Sequence, residues 1–106
     1  MMILSVLERL KAAYHSKTLQ YLGHEGTLQR LDRAMAILTT DTGYEIRFSE
    51  DIYLVSSVHL GLTGNREITV YEVDTIGKTC TCPDSEKGNI CKHRIACEML
   101  EMIGGD

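Results

Sequence analysis

The apolar residues in the first part of the chain recur at helical spacing. Residues 3–22 place them on one face of a helix, and Gly23 with Gly26 supplies a stop. Thr27 can cap a second helix that ends near Gly43. The apolar faces consist of Ile3, Leu7, Leu10, Tyr14 and Tyr21, and of Leu28, Leu31, Met35 and Leu38. The pattern therefore predicts a hairpin of two helices.

From Tyr44 onward the spacing changes to alternation. Tyr44, Ile46 and Phe48 alternate with Glu45 and Arg47, which is typical of a strand with one face in water. The further predicted elements are strands over 52–58, 67–73 and 78–82, followed by a helix over 92–103. The last two strands are expected to pair across the turn between them. This order predicts an α+β fold in which helices cover one face of a small antiparallel sheet.

Composition agrees with one small folded domain. Hydrophobic residues make up 43% of the 106 residues and charged residues 25%, as in ordinary globular proteins. Five Tyr, one Phe and no Trp leave few large rings for a core, so a metal ion would help to hold so small a domain together.

The amino terminus does not resemble a targeting signal. Met1 to Leu7 is apolar but runs into Glu8 and Arg9 without a small-residue cleavage site, and no window reaches the roughly 18 apolar residues of a membrane span. We therefore expect an intracellular protein, in the cytoplasm, the nucleoid or the nucleus, that is neither secreted nor membrane-bound. Its cysteines should remain reduced.

Four metal-binding side chains lie within fourteen residues, namely Cys80, Cys82, Cys91 and His93. Three thiolates and one imidazole form a donor set that suits tetrahedral zinc. Because all four positions would be filled by protein, no site would remain for an activated water, so the pattern indicates structural Zn²⁺. The alternatives are reduced core cysteines beside an incidental histidine, or a disulfide or redox pair, which the C-x-C spacing disfavours.

This C-x-C, loop, C-x-H pattern between strands and a helix resembles the SWIM zinc finger. The segments that carry the resemblance are Arg33-Ala34, Tyr53-Leu54-Val55-Ser56, Tyr71-Glu72-Val73, Cys80-Thr81-Cys82-Pro83 and Cys91-Lys92-His93-Arg94-Ile95. The resemblance covers roughly residues 28 to 103 and implies a ββα-like zinc site. It divides the chain into an amino-terminal helix, residues 1–26, and a SWIM-type domain, residues 27–106, in one compact unit. For the family it implies zinc binding together with DNA binding or protein–protein interaction.

Charge is distributed in blocks. Residues 41–74 carry seven acidic and two basic residues, and the net charge is −4, which opposes a dedicated nucleic-acid domain. Lys87, Lys92 and Arg94 flank the cysteines and are the candidates for phosphate contacts. The alternative is an ordinary solvated surface, since no aromatic residue is interleaved with them. The helix after His93 could enter a groove of DNA, although its acidic residues would repel phosphates.

The remaining candidates are weaker. Cys97 follows His93 by one helical turn and is either a spare ligand or a small core residue, the second being favoured. His15, His24 and His59 have no matching ligand nearby. No nucleophile triad, phosphate loop or acid–base pair is visible, so we expect neither an enzyme nor a small-molecule substrate.

The leading hypothesis is a zinc module that binds DNA, and the alternative is a protein-interaction adaptor held together by zinc. The apolar start of the first helix, at Ile3, Leu4, Val6 and Leu7, leaves a protein partner or a homodimer open.

Overall fold

The structure, a computed structural model, describes residues 5–40 and 43–104. Its elements in chain order are α1 Val6–Gln20, α2 Glu25–Thr39, β1 Tyr44–Ser49, β2 Ile52–Leu60, β3 Arg66–Asp74, β4 Thr79–Cys80, α3 Pro83–Glu86 and α4 Lys92–Gly104. The fold is α+β, with a helical hairpin, a four-stranded antiparallel sheet and a carboxy-terminal helix. The predicted fold class is confirmed.

In the helical hairpin of α1 and α2, the amino-terminal cap of α2 differs from the predicted one. Ser5 caps α1 by accepting a hydrogen bond from the Glu8 N–H at 3.2 Å. Gly23 then adopts a φ of 85°, which glycine takes without strain. The His24 N–H bonds to the Tyr21 carbonyl at 2.9 Å, so the chain reverses at once and α2 begins at Glu25. The predicted cap at Thr27 was therefore wrong.

The sheet has the order β1-β2-β3-β4. A two-residue turn joins β1 to β2, with Glu50 and Asp51 at φ 52° and 71°, the left-handed conformation that tight hairpin turns require. β4 pairs with β3 only through Val73↔Cys80 and Asp74↔Thr79, across the turn expected from the sequence.

The stretch after β4 differs from the sequence expectation. A strand was predicted to continue to residue 82, but β4 ends at Cys80 and the four-residue helix α3 follows. Pro83 lies at the first turn of α3, where its fixed φ suits a helix and its missing N–H costs nothing. Pro83 therefore starts a helix rather than only ending a strand.

Two buried clusters make up the core. The first joins α1, α2 and α4, and its buried members are Ala13, Tyr21, Leu31, Ala34, Ile37, Ile95, Ala96 and Met99. The second joins the sheet to α4, and its members are Val55, Val73, Cys80, Cys82, Cys91 and Cys97. α4 contributes to both, so it links the helices to the sheet.

The helices cover only the inner part of one face of the sheet. On that face His59 and Glu67, near the outer ends of β2 and β3, are exposed. On the opposite face the exposed apolar side chains are Val58, Leu60, Ile68 and Val70. The molecule is accordingly elongated, with extents of 52 × 31 × 27 Å.

A buried ion-pair network fixes α1 against α4. Lys17 Nζ donates to Glu98 Oε1 at 2.6 Å, and Arg94 Nε donates to Glu98 Oε2 at 2.8 Å. Lys17 lies on the buried face of α1, where the sequence pattern predicted only apolar contacts. Since Glu98 accepts from both cations, its charge is compensated where water is largely excluded.

Candidate metal centre

The four predicted ligand residues converge at the junction of β4, α3 and α4. Their ligand atoms all lie within 4.8 Å of one another, and Cys80, Cys82, Cys91 and His93 are all buried. A zinc tetrahedron with Zn–S bonds of about 2.3 Å has edges of about 3.8 Å, so only small side-chain adjustments would close the site around an ion. The donor set and the geometry therefore fit zinc.

Two of the sulfur atoms also accept backbone hydrogen bonds at helix starts. Cys82 precedes α3, and its Sγ accepts from the Ser85 N–H at 3.4 Å. Cys91 precedes α4, and its Sγ accepts from the Arg94 N–H at 3.4 Å. N–H donors of this kind stabilise negative charge on sulfur and fix the direction in which each ligand points.

His93 is fixed by its surroundings. Its Nδ1 lies 4.0 Å from Cys80 Sγ. Its ring lies 4.7 Å from the ring centroid of Tyr71 and 6.2 Å from that of Tyr44. The two rings limit rotation of the imidazole, so Nδ1 is already directed at the sulfur cluster.

The thiols are electrostatically coupled. A hydrogen bond from Cys80 lowers the pKa of Cys91 to about 4. Burial alone would raise this pKa, and a hydrogen bond with His93 lowers it further. The bond between Cys80 and Cys91, together with burial, raises the pKa of Cys80, and burial raises the pKa of Cys82. The thiolate form is therefore favoured at Cys91 over Cys80 and Cys82, and a divalent cation would displace the protons held by the other thiols.

Cys97 takes the structural role that the sequence favoured. It is fully buried beneath the four residues and is not a member of the group that shares the ligand geometry. Burial raises the pKa of its thiol to about 12, so it remains a neutral packing residue. His15, His24 and His59 are exposed and also lie outside the group.

A cleft of about 360 Å³ opens beside the cluster. Its lining residues are Arg30, Arg33, Tyr71, Cys82, Pro83, Asp84, Lys87, Cys91, Lys92 and His93. Lys87 and Lys92 are two of the three predicted phosphate contacts. The third, Arg94, is not among the lining residues, and its side chain is held by Glu98.

Sequence reasoning missed the cations that α2 contributes to this cleft. Arg30 donates to both carboxylate oxygens of Asp84, at 2.6 and 2.9 Å, which ties α3 to α2 and lowers the pKa of Asp84. Arg33 is exposed one turn further along. A block of five basic residues between Glu8 and Arg33 was a signal, but only the fold brings two of them to the cysteines.

Comparison with known proteins identifies one domain. Residues 58–97 match the family model of the SWIM zinc finger, and this stretch contains all four clustered residues. The chain thus carries a SWIM zinc finger, and the match and the geometry together support a zinc-binding module. No curated protein and no solved structure matches the chain. No helix in the described part of the chain is long and apolar enough to cross a membrane.

Proposed function

We propose that this chain is a structural-zinc module that binds nucleic acid, DNA above all, as an accessory in DNA transactions. The observation that carries the proposal is the convergence of Arg33, Lys87 and Lys92 on one cleft beside the zinc cluster. They come from α2, from the turn after α3 and from the start of α4. Grouped cations of this kind contact phosphates, which supply most of the affinity of nucleic-acid binding.

Charge accounting supports a local phosphate site despite the net charge of −4. Four cations line the cleft against one carboxylate, Asp84. A zinc ion with three thiolates and one neutral imidazole carries one net negative charge. The lining thus retains about two positive charges, whereas the acidic residues of β1 and the turn after it lie outside the cleft.

In this proposal zinc has a structural role. With Cys80, Cys82, Cys91 and His93 all bound, the ion would have no open position for water or substrate. It would fix the turn carrying Lys87 against the start of α4, which holds Lys92. The proposal is therefore one of recognition rather than catalysis.

The test is fluorescence anisotropy of the zinc-loaded chain with labelled DNA across a salt series. Three phosphate contacts should make the logarithm of the affinity fall with the logarithm of salt with a slope of about −2 to −3. Arg33→Glu combined with Lys87→Glu should abolish measurable binding at moderate salt. The matched control, Arg9→Glu with Lys11→Glu, reverses two exposed charges on α1 and should leave more of the affinity. No binding of the parent protein even at low salt would refute the proposal.

A second candidate is the protein-interaction adaptor. It is favoured by the outer part of the β2–β3 hairpin, which exposes Val58, Leu60, Leu62, Ile68 and Val70. Exposed apolar groups that adjoin one another mark interaction sites. Capture of a protein partner that is lost in Leu60→Asp, together with no DNA binding, would select this function.

A further inference from the structure

We infer that the cleft receives one nucleotide of a single-stranded nucleic acid, with the base against Tyr71 and the adjacent phosphates at Arg33, Lys87 and Lys92. The inference rests on the proposed function and adds the form of the nucleic acid. It depends on the shape of the site, on the position of α4 and on one aromatic ring.

The site is concave and small. Its volume of about 360 Å³ is at the lower end of the range of pockets that enclose small organic ligands. A base can enter such a cleft only when it has left its stack. A single strand offers unstacked bases without the cost of a few kcal/mol that a duplex pays to flip one out.

α4 is not positioned to read a duplex. Helices that recognise duplex DNA lie in the major groove with their first residues on the base edges. The first turns of α4 are instead enclosed in the protein, and the buried residues are His93, Ile95, Ala96, Cys97 and Met99. The sequence suggested that α4 could enter a groove of DNA, but the face of α4 that would contact the bases is covered by protein.

Tyr71 supplies an aromatic ring beside the lysines. It is distant from them in the sequence and is brought near them only by the fold. It lies in β3, nine residues before Cys80, and lines the same cleft as Lys92 and Lys87. Its contact with His93 holds the ring in place, so little side-chain freedom would be lost on stacking a base. Aromatic rings beside a cationic groove are the usual means of holding single strands without sequence preference.

The experiment compares an oligonucleotide of about 15 nucleotides with its own duplex, each labelled and titrated with the zinc-loaded chain. We expect the single strand to bind at least tenfold more tightly at equal salt. Tyr71→Leu should weaken single-strand binding by about tenfold or more, while Tyr71→Phe should retain it because stacking needs the ring and not the hydroxyl. Tyr53→Leu is the matched control, since Tyr53 lies in β2, packs against Phe48 and is not among the cleft residues.

Zinc content of each variant is measured alongside, because Tyr71 also contacts a ligand residue. A tenfold loss in Tyr71→Leu with full zinc content supports the inference. Equal or tighter binding of the duplex, or unchanged affinity of zinc-loaded Tyr71→Leu, overturns the single-strand inference and leaves the nucleic-acid function standing. Absence of binding to either form overturns both.

Discussion

The two faces of the β2–β3 hairpin carry similar side chains in opposite environments. Val55 and Val73 are 0% exposed, whereas Val58 and Val70, three residues away on the same strands, are 46% and 51% exposed. Because side chains alternate along a strand, Val55 and Val73 point to the face that packs against α4 and the cysteines, and Val58 and Val70 point to the opposite face. Burial in this hairpin is therefore decided by which face α4 and the cysteine cluster cover, not by the apolar character of the strands.

The cleft lies on the covered face, to which Tyr71 belongs. The elements that bury Val55 and Val73 also bring Lys87, Lys92 and Tyr71 together. The proposed recognition of nucleic acid and the stability of the chain should therefore be lost together when the covered face is disrupted, and both should tolerate changes on the exposed face. Substitutions can separate the two faces, and the largest effect is expected at the zinc ligands.

Removing one ligand should disrupt the packing on the covered face. Structural zinc contributes about 10 kcal/mol or more to the folding of small zinc domains, so Cys82→Ser should lose zinc and unfold the chain from about Glu67 onward. Circular dichroism and zinc content measure this outcome. Cys97→Ala is the control, because it removes a buried thiol that is not one of the four clustered residues and should keep one zinc per chain. Full zinc content and unchanged thermal unfolding in Cys82→Ser would exclude the zinc role.

Removing the shared carboxylate of the α1–α4 network should be the next largest effect. Glu98→Gln leaves Lys17 and Arg94 largely buried without a counter-charge, at a cost of about 3 kcal/mol in the free energy of unfolding at pH 7. Glu101→Gln, at an exposed position on the same helix, should cost much less. Urea unfolding of zinc-loaded proteins distinguishes them, and equal costs would contradict a role for the network.

The effect of Glu98→Gln should depend on pH. Burial raises the pKa of Glu98, but hydrogen bonds from Lys17 and Arg94 outweigh it and leave the pKa below the ordinary 4.5. A carboxylate with a lowered pKa in the folded state stabilises the protein above 4.5 and loses that contribution as the pH falls through the folded value. The difference between parent and variant should therefore shrink in acid, and a constant difference would contradict this assignment.

The smallest effects compare the two faces of β2 directly. Val55→Ala should lower the free energy of unfolding by about 2 kcal/mol, because it removes buried methyl groups and leaves a cavity. Val58→Ala, the same change on the same strand, should lie within about 0.5 kcal/mol of the parent. A large loss in Val58→Ala would mean that the exposed face of the hairpin is covered in solution, which the adaptor hypothesis expects.

Much of the architecture was predictable because it depends on local patterns. The change from helical spacing to alternation marked the helices and the sheet. The short spacings of C-x-C and C-x-H identified two pairs of candidate ligands. The start of α2 and the helix α3 were not predicted, since both depend on how the chain turns at Gly23 and at Pro83. The buried position of Lys17 was missed because its partner, Glu98, lies 81 residues away.

The sequence by itself determined the class of the protein and its metal chemistry. Three cysteines and one histidine at these spacings define a closed zinc site in any fold that brings the two pairs together. Only the tertiary structure decided where the proposed recognition can occur. It placed Arg33 and Tyr71 beside Lys87 and Lys92, held Arg94 on Glu98, and covered α4. The physical reason is that ligand spacing is a short-range property, whereas a charged cleft is formed by residues whose contacts arise only when distant segments pack.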